Sequence, residues 1–262
     1  DGFILTHATE RVDIPDQAQV DAYLPAFEPV QQLDCDDPVS IGAMVGPEAF
    51  FEVRYLQHHK QQRALELIPQ LAKEFSQVFG RESGGLVRPY RCEDAQTIVV
   101  ALGSVNGTIK DVVDEMRDQG HPIGLLTLCS FRPFPLQEVR AVLAHAQRVV
   151  VLEKSLAVGI GGMVSEGVRK ALSGIALHGY TVIAGLGGRP ISRQSLHKLF
   201  EKAERDELDQ LNFLDLDWEV VRREIERGRL KRRSGPTAEN ILRDLHALGA
   251  PSACWPRRAN PT

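Results

Sequence analysis

Cysteine is scarce in this chain and never clustered. The four cysteines among 262 residues are Cys35, Cys92, Cys129 and Cys254, and no two stand at the CxxC spacing that a zinc ribbon or an iron–sulfur cluster needs. No apolar run approaches the roughly 20 residues required to cross a bilayer, and no charged start followed by an apolar stretch reads as a signal peptide. A reducing, cytoplasmic compartment is therefore expected. An excess of charge is missing too: 31 basic and 35 acidic side chains leave a net charge of −4, with no global footprint for nucleic acid or a membrane. The phosphate-cradling spacing GxxxxGK[ST] does not occur.

What the chain does have lies between Thr97 and Gly188. TIVVAL, PIGLLTL, RVVVLE and YTVIA are apolar, β-branched runs with almost no polar alternation, as expected of strands covered on both faces. Between them stand segments of helical spacing. Val105–Gln119 follows Ser104 as a candidate N-cap and places Ile109, Val112, Val113 and Met116 on one face. Leu136–Ala146 and Met163–Leu172 follow the next two strands. The expected fold class is α/β, an open and mostly parallel sheet with helices on both faces, and Val87–Tyr90 reads as a short edge strand.

The flanks differ in composition. Residues 8–45 carry Pro15, Pro25, Pro29 and Pro38, too close for a long helix, so an extended linker is expected with one helical turn at Gln17–Tyr23. The acidic group Asp34, Asp36 and Asp37 beside Pro38 reads as turn chemistry, with ligation of a hard cation as its other reading. Glu48–Phe79 has helical periodicity ending at Gly80 and reads as a strut; His58 and His59 point about 100° apart on it and cannot chelate one metal. Beyond Glu201 the chain is charged, with Phe213-Leu214-Asp215-Leu216 as an apolar island. The basic run Arg227–Arg233 is read as a solvated helix end, an anionic partner being the alternative, because no aromatic residues interleave to stack on bases. Thr237–Leu248 suggests a short helix and Pro251–Thr262 a disordered tail.

Two loops invite a functional reading. Gly103–Lys110 opens a helix, where an anion could bind, and Gly159-Ile160-Gly161-Gly162 after a strand has some of the look of a dinucleotide fingerprint with its third glycine misplaced. Close backbone approach is the competing explanation. Phe131-Arg132-Pro133-Phe134-Pro135 follows the second buried strand, where the crevice outside an open sheet should lie. That loop reads both as a stiff turn and as a pre-ordered docking surface. On crevice position alone, Arg132, Phe134, Glu153, Gly159, Gly161 and Gly162 are the candidate contact residues, with neither a catalytic nor a metal-ligating residue among them.

Five stretches in order, DGFILTH at 1–7, RYLQHH at 54–59, VALGSVNGTIKDVVDEMR at 100–117, FRPFP at 131–135 and AGLGGR at 184–189, carry a closer likeness. Over roughly Asp1 to Asp217 the chain resembles the α subunit of pyruvate:ferredoxin oxidoreductase. The resemblance implies a domain like the C-terminal domain of transketolase at 87–203, behind a linker and strut at 8–86 and ahead of a charged helical tail at 204–262. Residues 1–7 would be the last strand of a pyrimidine-binding domain that begins upstream.

The family resemblance further implies oxidative decarboxylation of pyruvate, transfer of the acyl group to coenzyme A, and electrons passed through iron–sulfur clusters to ferredoxin or flavodoxin. Thiamine diphosphate, magnesium and the clusters would belong to the complete complex, with none held by this chain alone. The catalytic Glu and the GDG…N motif of the family are not in this sequence, so an assembly role is expected, with the other subunits as partners and neither nucleic acid nor a membrane involved. Enzymes for 2-oxoglutarate or branched-chain 2-oxoacids share the architecture. A stand-alone module binding a nucleotide or coenzyme A is the alternative of a different class.

Overall fold

A computed structural model describes residues 12–40, 42–229 and 235–247. The expected strand at 1–7, most of the basic run and the expected disordered tail fall outside them. The chain forms two compact units, divided between Leu214 and Asp215.

The first unit is built on six strands: β1 (Val87–Tyr90), β2 (Thr97–Ala101), β3 (Ile123–Leu128), β4 (Arg148–Glu153), β5 (His178–Ile183) and β6 (Leu211–Phe213). Their order across the sheet is β1-β3-β2-β4-β5-β6. β1 runs antiparallel to β3, and every other pairing is parallel. Four helices connect the parallel strands: α3 (Val105–Asp118), α4 (Leu136–Leu143), α5 (Met163–Ala171) and α6 (Arg193–Glu204).

Alternate side chains of the same strands feed two cores. Val99, Leu125, Val150 and Val182 meet Ile109, Val112, Leu196 and Phe200 of α3 and α6, while Ile98, Val100, Leu126, Val149 and Val151 meet Val139, Val164 and Val168 of α4 and α5. This explains the lack of polar alternation in TIVVAL and RVVVLE: both faces are covered. Each such fully buried Val, Leu or Ile contributes about 1.5–3 kcal/mol. The sheet also continues past residue 203, because Leu211–Phe213, which shares only Phe213 with the apolar island, forms β6, paired to β5 from Thr181↔Leu211 to Ile183↔Phe213.

Ahead of the sheet stand two helices, α1 (Gln17–Tyr23) in the linker and α2 (Phe50–Phe79) where the long helix is expected. Asp16 caps α1 by accepting from the Ala18 N–H at 2.9 Å, and Gly80 ends α2 in the left-handed conformation. Tyr23 sets its ring edge-on to Phe75 and Phe79, with centroids 6.1 and 5.2 Å away. No residue of the 30-residue α2 is fully buried.

The second unit contains α7 (Trp218–Gly228) and α8 (Thr237–Ala247). Asp217 caps α7, accepting from the N–H groups of Glu219 and Val220, both at 3.0 Å. Arg223 and Arg227 pair with Asp244 of α8 at 3.0 and 2.8 Å, and Arg227 also with Glu224 at 2.8 Å. At least one cation of the basic run therefore joins two helices of this unit.

Candidate functional site

The order β3-β2-β4 reverses the direction in which strands are added, so the crevice expected of an open α/β sheet opens at the carboxyl ends of β2 and β4. Two loops meet there: Leu102-Gly103-Ser104 after β2, and residues 154–162 after β4. The loop after β3, with FRPFP, lies on one side, and the loop after β5, residues 184–192, on the other.

Glu153, the last residue of β4, is the electrostatic centre of this crevice. It is 4% exposed. Its carboxylate turns back to the start of α5, where Oε2 accepts from the Val164 N–H at 2.7 Å and Oε1 from the Ser165 N–H at 3.1 Å and the Ser165 hydroxyl at 2.9 Å. A helix start has free N–H donors and a partial positive charge; here both are answered by a side chain eleven residues earlier in the chain. Its expected place on a contact surface is corrected by this burial: Glu153 is an internal helix cap.

The glycines follow from that arrangement. A Cβ on Gly162 would stand 1.7 Å from Glu153 Oε1, so only glycine admits the carboxylate. Gly159 and Gly161 hold positive φ of 88° and 122° and close a tight hairpin in which the Ala157 N–H donates to the Gly161 carbonyl at 2.7 Å. Gly161 and Gly162 are buried and Gly159 exposed. The far end of α5 is also answered by charge: Arg140 of α4 donates to the carbonyls of Ala171 and Ser173, each at 2.9 Å, where a cation suits the dipole.

The FRPFP loop divides its residues. Phe134 is half-buried against the core under α4 and α5, and a Cβ on Gly167 of α5 would lie 2.5 Å from its ring. This Gly167–Phe134 contact has no sequence signal, since neither residue sits in a motif that names the other. Arg132 is exposed; its guanidinium stacks over Phe131, 4.1 Å from the ring centroid, and donates to the Phe131 carbonyl at 2.7 Å. The Arg132–Pro133 peptide is cis, and the Ser130 hydroxyl bonds the Pro133 carbonyl at 2.7 Å.

The anion-binding reading of the Gly159–Gly162 loop does not fit the geometry. The α5 start is already filled by Glu153, which a diphosphate would have to displace from three hydrogen bonds. At the α3 start, Ser104 makes no capping bond to the helix, and the buried atom left without a hydrogen-bond partner is the acceptor Asn106 Oδ1, which calls for a donor. Among the described residues, no group of three or more His, Cys, Asp or Glu is placed to hold a metal, and Cys92 is buried while Cys35 and Cys129 are exposed. Burial pushes the Cys92 thiol above its ordinary pKa, away from thiolate chemistry. A trough of about 350 Å³ beside α5 and β5 is lined by Val149, Val168, Leu172, Arg169 and Thr181, and Arg169 there already donates to the Thr181 hydroxyl at 3.0 Å.

At the opposite end of the sheet a charged network ties β4 and β5 to the turn after α6. Arg148 grips Asp206 through Nε and Nη2 at 2.7 and 2.8 Å, and the Tyr180 hydroxyl donates to the same carboxylate at 2.9 Å. The Arg148 hydrogen bond, seconded by Tyr180, holds the Asp206 carboxyl well below the usual carboxylate range. Burial, with Asp206 beside it, raises Tyr180 to about 12. These groups lock the fold and lie away from the crevice.

No helix among the described residues is long and apolar enough to cross a membrane. Residues 95–196 match the family model described as pyruvate:ferredoxin oxidoreductase core domain II. The chain is 42% identical to the pyruvate synthase subunit PorA of Methanothermobacter thermautotrophicus, over 79% of this chain and 53% of that protein. Its likeness to the Thermotoga maritima PorA is 36%, over 82% and 56%. The ketoisovalerate oxidoreductase subunit VorA of Pyrococcus horikoshii is 29% identical over 84% and 57%. A solved 2-oxoglutarate:ferredoxin oxidoreductase from Magnetococcus marinus superposes with a TM-score of 0.38 at 18% identity, over 50% of this chain and 21% of that one. The chain spans about half the length of the curated relatives it matches. The α/β unit of this chain, in its residues 95–196, belongs to the pyruvate:ferredoxin oxidoreductase core domain II family.

Proposed function

We propose that this chain is part of the α subunit of a 2-oxoacid:ferredoxin oxidoreductase that converts pyruvate, coenzyme A and oxidised ferredoxin to acetyl-CoA, carbon dioxide and reduced ferredoxin. The observation that carries the reading is identity of 34–42% to proteins named pyruvate synthase subunit, over about four-fifths of the chain. Within the complex these residues act as an assembly domain, in the cytoplasm, and the thiamine diphosphate, magnesium and iron–sulfur clusters belong to other parts. The buried Glu153 supports this division of labour: the helix start most suited to a diphosphate is spent on the domain's own rigidity. The same observation weighs against a stand-alone module binding a nucleotide or coenzyme A.

The test is isolation of the native assembly through a tag on this chain, followed by viologen reduction with pyruvate and coenzyme A and by iron and thiamine analysis. Dye reduction that needs both substrates, with both cofactors present, is the expected outcome. Equal or faster turnover of 2-oxoglutarate or 2-oxoisovalerate would move the substrate while keeping the reaction. A chain recovered alone, without iron or thiamine, overturns the proposal.

A further inference from the structure

β5 begins His178-Gly179-Tyr180, and a glycine inside a strand weakens it and marks a bulge, a bend, or a place where a ligand or another backbone comes close. No bulge accounts for Gly179, because β5 pairs with β4 without interruption from His178 to Ile183. No backbone of the described residues crowds it either: a Cβ there would meet only Leu177 Cδ1, at 3.9 Å. Beside it lies the trough between α5 and β5, about 350 Å³ in volume, at the small end of ligand-binding cavities. The parallel register sets its floor. Val149 and Val151 of β4 stand opposite Gly179 and Thr181 of β5, so all four belong to one face of the sheet. Val168 and Leu172 from the α5 side line it too, and both are buried. Gly179 is the missing side chain that leaves the trough open.

Two polar groups line the same trough with donors to spare. The Thr181 hydroxyl, on a residue 2% exposed, accepts from Arg169 Nη2 at 3.0 Å and has no acceptor for its own proton among the described residues. Arg169 is the one charged side chain in the lining. A guanidinium has five N–H donors; here one serves Thr181 and another serves Glu166, in an exposed pair three residues apart of the kind that water and salt weaken. The dipole at the end of α5 would oppose an anion, but Arg140 already answers the carbonyls of Ala171 and Ser173 there. The Ser165 hydroxyl, also in the lining, is spent on Glu153.

We propose that this trough binds a small carboxylic acid with an apolar tail. Arg169 and the Thr181 hydroxyl hold the carboxylate, and the tail lies over Val149, Val168 and Leu172 in the space that Gly179 leaves. Both facing groups donate and one is positive, which selects a carboxylate over a neutral or cationic head; the apolar floor selects the tail. The floor stops short of the carboxyl ends of β4 and β5, so the site is separate from the crevice and does not depend on the reaction proposed above.

The experiment titrates the purified full chain with hexanoate, and with 1-hexanol and hexylammonium as neutral and cationic counterparts of the same tail, by calorimetry and by hydrogen exchange over 165–181. Two variants accompany it. Gly179→Val fills the trough with a residue suited to a strand, and Arg169→Gln removes the charge from an exposed position. Hexanoate is expected to protect 165–181 in the unsubstituted chain. Gly179→Val should abolish its binding and Arg169→Gln weaken it about tenfold, both with thermal midpoints close to the original; 1-hexanol should bind about tenfold more weakly than hexanoate. If Gly179→Val fails to fold, Arg169→Gln decides. Hexanoate binding unchanged in either folded variant overturns the proposal, as does equal binding of 1-hexanol or hexylammonium. Absence of protection by hexanoate overturns it too, and protection of 165–181 in the native assembly alone would then assign the trough to a covering protein.

Discussion

Removing the Glu153 carboxylate leaves the Val164 and Ser165 N–H groups buried without their acceptor. Buried donors stripped of a partner cost about 1–3 kcal/mol each, and a lost helix cap typically about 1. Glu153→Ala should therefore lower unfolding stability by about 2–4 kcal/mol, read as a shift in the urea midpoint. A loss below about 0.5 kcal/mol, the size of an ordinary surface change, would remove the internal-cap account. The position was visible in the sequence as a charge ending a buried strand ahead of a glycine run. Its direction was not, because nothing local says that α5 begins beneath the end of β4. The Gly167–Phe134 contact was still less legible, joining two loop-and-helix segments whose proximity only the folded packing of α4 against α5 produces.

At the scale of elements, the buried strands were legible to within a residue or two, since coverage on both faces leaves an unbroken apolar run that periodicity reads directly. β6 was not, as its three residues Leu-Asn-Phe are too few and too mixed to show a period. β6 also lies beyond the turn anchored by Asp206, and that anchor carries a pH signature. The folded pKa of Asp206 is depressed, so its stabilisation is fully present above the ordinary carboxylate value of about 3.9 and is lost as pH falls through the folded value. Asp206→Asn should be less stable than the unsubstituted chain at pH 7, with the gap closing below about pH 4; a gap constant down to pH 2 would mean that the pairing with Arg148 and Tyr180 contributes nothing. A helix-packing counterpart is Gly167→Ala: with its added Cβ 2.5 Å from the Phe134 ring, an overpacking cost of about 1–3 kcal/mol is expected, relieved by the double change Gly167→Ala/Phe134→Leu.

For the molecule as a whole, the exposed candidate contact residues and the buried ones have different fates under mutation. Arg132 is exposed and holds to its neighbour Phe131, so Arg132→Glu should leave unfolding stability within about 0.5 kcal/mol of the original while reducing recovery of partner chains; equal losses in both would make it a fold residue. Glu153, by contrast, gives α5 an anion of its own, tethered at an effective concentration that no dissolved ion matches. Such a tether can be cut and its load replaced. A Glu153→Gly chain should regain stability when formate or acetate is added, while the unsubstituted chain ignores both. The crevice of this domain would then be an anion site that the chain keeps permanently inhibited by its own side chain, a lock that one substitution opens to small carboxylates.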